Sequence, residues 1–216
     1  MTDHQIPIYF IRHAQSKFNA VYDALKPDPM IFDAELSELG HGQATRTGQA
    51  IDKLNITKVI VSPFTRTLQT ASLIFGERHN FEINALVREQ LCNSCDVGTH
   101  PEKLGEFYSH LDFSHLDDCW WHQGELDHRG FATEPHEVLL ERADNFTKNL
   151  RVNNSLIHEN HAISGDHDSD NKSDRSIAIV SHGNFIRAVT GVQPDNCEIV
   201  NFNPFNGTAR SIDIGI

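Results

Sequence analysis

The chain has 216 residues, 38% of them apolar and 22% charged, an ordinary balance for a globular protein with one sizeable core. Its net charge is −12, from 18 basic and 30 acidic residues, which argues against nucleic acid or an anionic membrane surface as the main partner. A small phosphorylated ligand stays compatible with that balance, because a local cationic pocket can sit inside an acidic protein.

The opening residues Met1-Thr2-Asp3-His4-Gln5 carry no basic segment, and the apolar run after them is too short for a signal peptide or a membrane helix. A cytoplasmic location is expected. Residues 6–11 read as a buried strand that ends in Arg12-His13-Ala14-Gln15-Ser16. Ser37 is the expected N-cap of a helix running to about Lys53. Residues 58–62 form a second strand, and Pro63 is expected early in the helix that follows, to about Phe75. Ile83 marks a weaker strand. Residues 90–134 are rich in Cys, His, Asp and Trp without a long helical period, and read as an insertion that caps the site.

Pro135 opens a helix through Val138, Leu139, Ala143 and Phe146 to about Leu150. Residues 164–176 are almost wholly polar and read as a mobile solvated loop, without the spacing of a calcium-binding loop. Strands follow at 177–181, weakly at 198–200, and at 209–215. The last reads as a hairpin partner after Pro204-Phe205-Asn206-Gly207. Strands alternating with helices predict a three-layer α/β/α sandwich. Its sheet is mostly parallel with one antiparallel edge strand, in a single domain over 1–216.

Strand ends carry the chemistry. Open α/β sheets bind ligands at the carboxyl ends of their strands. Arg12-His13 follows one strand, Ser181-His182-Gly183 another, and Pro63-Phe64-Thr65-Arg66 a third. Arg12 and Arg66 offer planar forks that match phosphate oxygens. His13 is the candidate nucleophile, since neutral imidazole attacks phosphorus and splits one hard displacement into two. His182, with Gly183 beside it, is placed to stabilise the equatorial oxygens. Ser16 and Asn19 are expected to return to the same phosphate as donors. Glu89 is the expected proton donor to the leaving group, with Asp96 in reserve. With 14 histidines in the chain, no single one is informative, and Arg66 or Glu89 alone is unremarkable. The recurrence of such residues at successive strand ends carries the inference.

Cys92, Cys95, Cys119 and Cys197 are expected as thiols. Cys92-Asn93-Ser94-Cys95 with His100, His110 and His115 nearby is the pattern of a zinc site, but no second pair stands at a ligand spacing, so free thiols are the favoured reading.

Taken in order, Arg12-His13-Ala14-Gln15-Ser16-x-x-Asn19, Leu36-Ser37-x-x-Gly40-x-x-Gln43-Ala44, Ser62-Pro63-x-x-Arg66-Thr67-x-Gln69-Thr70 and Ser181-His182-Gly183 resemble the signature of the histidine phosphatase superfamily, phosphoglycerate-mutase-like branch. The resemblance implies that His13 accepts the phosphoryl group. Arg12, Arg66 and His182 would form the phosphate pocket, Glu89 would donate the proton, and no metal or organic cofactor would be needed. Two departures stand out. Ala14 occupies the position of a usual glycine, so the loop is expected to adopt a conformation that alanine tolerates. Residues 90–134 hold only Lys103 and Arg129 as basic residues against nine acidic ones, where the mutases carry several cations. Hydrolysis is therefore expected over mutase transfer. The alternatives are mutase-type transfer and a catalytically weak phospho-ligand or protein-binding module of the same fold. The expected partner is a small phosphorylated substrate or a phosphoprotein. Trp120, Trp121, Phe107, Tyr108 and Phe113 are expected mainly to pack the insertion onto the core.

Overall fold

The computed structural model describes residues 6–76, 80–163 and 175–215, with side chains omitted from 153–163. A six-stranded sheet forms the centre, in the order β3-β2-β4-β1-β5-β6. Its strands are β1 (Ile8–Arg12), β2 (Ile56–Val61), β3 (Phe81–Ile83), β4 (Ser176–Ser181), β5 (Ile199–Phe202) and β6 (Ala209–Ile212). The first four are mutually parallel, while β5 runs antiparallel to both β1 and β6. The hairpin β5–β6 thus supplies the antiparallel edge.

Alternation along the strands explains the layers. Ile8, Phe10, Ile60, Ile177, Ile179 and Val200 point to one face. There they pack on Leu139, Ala143, Phe146 and Leu150 of α5 (His136–Ile163) and on Phe185 and Ile186 of α6 (Gly183–Thr190). Ile11, Val59, Val61, Ala178 and Val180 point to the other, against Ala44 and Ala50 of α2 (Glu38–Ala50) and Leu68, Ala71 and Ile74 of α3 (Thr65–Phe75). Segment 90–134 holds one short α-helix, α4 (Pro101–Phe107), after a 3-10 turn at Ser94–Asp96, and packs on this second face through Leu104, Leu111, Phe113 and Trp120. Trp120 sits edge-on to Phe64 with ring centroids 4.6 Å apart, and Tyr108 and Trp121 pack alongside. Phe107 departs from the expectation and is largely exposed.

Two local expectations change. Pro63 lies outside α3, whose N-cap is the extended Phe64. The reason is tertiary: the Asp33 carboxylate accepts from Thr65 N–H (2.9 Å) and Thr65 Oγ1 (2.8 Å), and this borrowed cap sets the first helical residue. The helix opening after Pro135 runs to Ile163, well past the end of its apolar stripe at Leu150. Short helices α1 (Lys17–Val21), α4 and α6 lack the length for a periodic signal. The polar stretch 164–174 lies outside the described residues. No described helix is long and apolar enough to cross a membrane.

Candidate active site

Strands β1, β4 and β2 lie side by side and run the same way, so their carboxyl ends open on one rim. The ladder continues one residue past each: His13 N–H donates to Ser181 O (2.9 Å) and Ser62 N–H to Val180 O (3.1 Å). His13 therefore stands level with His182, and Ser62 level with Ser181, one residue short of the histidine pair. The two imidazole rings are 5.1 Å apart between centroids, and His182 Nε2 lies 2.8 Å from Ser62 Oγ.

The loop bearing His13 is held by distant side chains. Ala14 N–H donates to Thr70 Oγ1 (3.1 Å), Gln15 N–H to Gln43 Oε1 (2.9 Å) and Ser16 N–H to Asn19 Oδ1 (3.2 Å). Ser37 Oγ donates to Gln15 Oε1 (2.8 Å), and Leu36 N–H to Gln69 Oε1 (2.8 Å). Gly40 lets α2 press against the Gln15 carbonyl, which any Cβ at that position would overlap. The motif residues Ser37, Gly40, Gln43, Gln69 and Thr70 are thus the supports of the His13 loop, a role that reading the sequence did not assign them.

Ala14 is fully buried and is not among the residues of positive φ, so its methyl costs no backbone strain. Ala14→Gly is expected to lower unfolding stability by about 1–2 kcal/mol, from chain entropy and a lost buried methyl. Denaturant unfolding would show this; a neutral or stabilising result would mean that the loop needs glycine's freedom.

His13 Nδ1 lies 2.7 Å from the Ala14 carbonyl, which only accepts. Nδ1 therefore carries the proton, and Nε2 keeps the lone pair. Burial, followed by the charges of Arg66 and Arg12, holds the His13 pKa well below the ordinary histidine range. His182 is fully buried and held low in the same way, by burial and then Arg66. Both rings are neutral at physiological pH.

One cavity of about 400 Å³ is lined by Arg12, His13, Ser16, Asn19, Arg66, Glu89 and Gly183, with His182 behind it against His13. Phe18, Tyr22, Asn184 and Gln193 complete much of its wall. Arg12 donates to Pro194 O (2.9 Å) through Nη1, while its Nε is buried without a partner, as is His182 Nδ1. An unpaired buried donor is costly, and anion oxygens at this rim would satisfy both. Ser62 O–H can donate to His182 Nε2, which leaves the proton on Nδ1.

Arg66 is 2% exposed and spends two of its five donors on Cys95 O (2.6 Å) and Asp96 Oδ1 (2.9 Å), leaving the others for the cavity. Asp96, the reserve acid, also accepts from Cys92 N–H (3.2 Å) and Asn93 N–H (3.1 Å), so the structure places it as the anchor of Arg66. Glu89 accepts from Gln90 N–H (2.8 Å) and from Asn184 N–H (3.3 Å) at the head of α6. Its pKa is pushed up to about 7 by burial and then by the Asp96 charge. Ser16 and Asn19 cap α1 reciprocally, which leaves Ser16 O–H and the Asn19 amide NH₂ for a ligand. A side chain at Gly183 would crowd Gln193 Nε2 and the Arg12 guanidinium, so glycine keeps that wall open.

The Cys92 and Cys95 thiols are held neutral. Burial, then Asp96, raises both, Cys92 to about 12. Among the described residues no group of three or more His, Cys, Asp or Glu side chains is placed to hold a metal ion. His115 Nε2 instead meets Ile83 O (2.8 Å), and His100 pairs with Asp118.

A family model described as the histidine phosphatase superfamily (branch 1) matches residues 8–206. Fructose-2,6-bisphosphatase TIGAR B of Danio rerio is 31% identical over 88 residues, 41% of this chain. The match spans 33% of that relative, about one-third of its length. Among solved structures, a mutant phosphoserine phosphatase from Entamoeba histolytica in complex with phosphoserine superposes with a TM-score of 0.55 at 19% identity, over 96% of this chain and 95% of the other. A mycobacterial glucosyl-3-phosphoglycerate phosphatase gives a TM-score of 0.53 at 18% identity, over 96% and 97%. At these identities the likeness is one of fold.

Proposed function

The chain belongs to branch 1 of the histidine phosphatase superfamily, and on that footing we propose that it is a metal-independent phosphatase acting on a phosphomonoester through a phosphohistidine on His13. The observation that carries this reading is the pairing of a neutral His13, its Nδ1 proton tied to Ala14 O, with Glu89 in the same arginine-lined cavity. His13 Nε2 attacks phosphorus, and the bond to the leaving oxygen breaks. The Glu89 carboxyl gives that oxygen its proton. Arg12, Arg66 and the neutral His182 Nδ1–H hold the equatorial oxygens, and the two guanidiniums supply the positive charge that a metal ion supplies elsewhere. Ionised Glu89 then takes a proton from water, the hydroxide oxygen attacks phosphorus, and the P–N bond breaks to free phosphate and His13.

The surroundings favour hydrolysis with an uncharged leaving group. Arg12 and Arg66 are the cations of the cavity wall among the described residues. Of the two basic residues of segment 90–134, Arg129 is spent on Asp127 (2.6 Å) and Cys92 O (3.0 Å). Lys103 is exposed on α4. Among the described residues, the wall offers a second phosphate or a carboxylate no further cation. The relatives' names span a sugar bisphosphate, phosphoserine and a glucosyl phosphoglycerate, so they support the reaction class and leave the leaving group to this chain's own wall. The cavity suits a small phosphorylated molecule, and the Phe18–Tyr22 stack (5.1 Å) offers it an aromatic edge.

Release of phosphate from p-nitrophenyl phosphate is expected to be blocked by vanadate and unchanged by a chelator. Turnover that requires a bisphosphorylated primer, with little free phosphate, would instead make the chain a mutase. Tight phosphopeptide binding without turnover on any substrate would make it a binding module.

A further inference from the structure

Glu89 sits on a stretch, 88–93, that forms neither helix nor strand, yet a proton donor must be held to within a fraction of an ångström of its target. What holds it is a buried ionic assembly from the start of α5. Glu134 is 1% exposed and accepts through Oε1 from Arg88 Nη2 (3.1 Å) and Arg142 Nε (3.2 Å). Its Oε2 accepts from Arg142 Nη2 (2.8 Å) and Leu91 N–H (3.3 Å). Arg142, itself buried, donates to the carbonyls of Leu86 (2.9 Å), Arg88 (2.7 Å) and, more weakly, Glu89 (3.4 Å). Glu134 N–H donates to Leu91 O (2.8 Å), Gln90 Nε2 donates to Glu134 O (2.9 Å), and Ser181 Oγ donates to Val87 O (2.7 Å). Between them these groups occupy the carbonyls of Leu86, Val87, Arg88, Glu89 and Leu91. Side chains do for this loop what a ladder does for a strand.

We propose that Arg142 and Glu134 are positioning residues for the Glu89 proton transfer. An assembly kept only for stability has a plainer solution in apolar packing, since buried ion pairs add little net stability over well-packed apolar residues. Here the ions grip the backbone on both sides of the one residue whose placement sets the acid step. The guanidinium of Arg142 also lies over the Phe185 ring (5.2 Å) of α6, the helix whose Asn184 N–H meets the Glu89 carboxylate. The proposal rests on Glu89 being the proton donor.

The test is leaving-group dependence in the first turnover. p-Nitrophenolate departs without a proton, whereas an alkoxide needs one. Arg142→Lys and Glu134→Gln are expected to slow first-turnover cleavage of an alkyl phosphate by roughly 30-fold and of p-nitrophenyl phosphate by less than about threefold, with vanadate affinity unchanged. Glu89→Gln should show the same selectivity more strongly. Equal losses on both substrates in the assembly variants, with Glu89→Gln selective, would overturn the positioning role alone. A non-selective Glu89→Gln would overturn the reading beneath it. If both variants fail to fold, Arg88→Met removes one less buried ligand of Glu134, and it should show the selective loss in smaller degree; an equal loss there overturns the proposal.

Discussion

His13→Ala is expected to lower phosphate release from an aryl phosphate by about 10⁴-fold or more, since removing the nucleophile ends the covalent route and leaves only binding and electrostatics. The arginines and His182 remain, so vanadate or phosphate should still bind. Stability should respond to pH in a defined sense. His13 and His182 are held neutral in the folded protein, with pKa values well below 6.5. The unfolded chain takes up protons as pH falls through about 6.5 while the folded one does not, so stability drops on acidification. His13→Ala removes one of these groups and should flatten that part of the profile, as denaturant unfolding between pH 5 and 8 would show. An unflattened profile with near-normal turnover would mean that His13 is neither buried neutral nor the nucleophile.

Glu89→Gln should move activity and stability in opposite directions. Turnover of a substrate with a poor leaving group is expected to fall by about 10²–10⁴-fold, the usual reach of a positioned general acid. The free protein should become more stable. The Glu89 pKa of about 7 lies above the ordinary carboxyl value of 4.5. Between these values the folded state holds a proton that the unfolded state has lost, so the contribution of Glu89 to stability declines as pH rises through that window. Glutamine escapes that decline. Its advantage should be absent near pH 4, grow through pH 4.5–7, and level at about 3 kcal/mol above pH 7. Paired kinetics and unfolding at pH 4, 6 and 8 measure both. A variant less stable than wild type at pH 8 would contradict the raised carboxyl pKa.

These predictions rest on residues visible in the linear chain, and the reason is geometric. Parallel strands align their ends, so strand-final Arg12-His13, Ser62 and Ser181-His182 must meet on one rim once the strands are recognised by their alternation. The supporting cast was visible as motif letters without a physical role. Gln43, Gln69 and Thr70 act by accepting loop amides from 28, 33 and 56 residues away, pairings that no local pattern encodes. Asp33 as the borrowed cap of α3, and Glu134 with Arg142 around Glu89, were hidden for the same reason. The sequence places Asp96 near the rim as a reserve acid, and it does line the cavity beside Glu89; what only the fold shows is that four donors turn toward it, Arg66 first among them. Trp120 packs as expected of the insertion's aromatic residues, edge-on to Phe64.

The central claim is that phosphate passes through His13. Rapid-quench labelling tests it most directly: the wild-type protein is mixed with a phosphate-labelled aryl ester and stopped within the first turnover. A label that survives alkali, is lost in acid and maps to the peptide containing His13 is the predicted result. A label stable to acid, or one that maps to His182 or another residue, would contradict it.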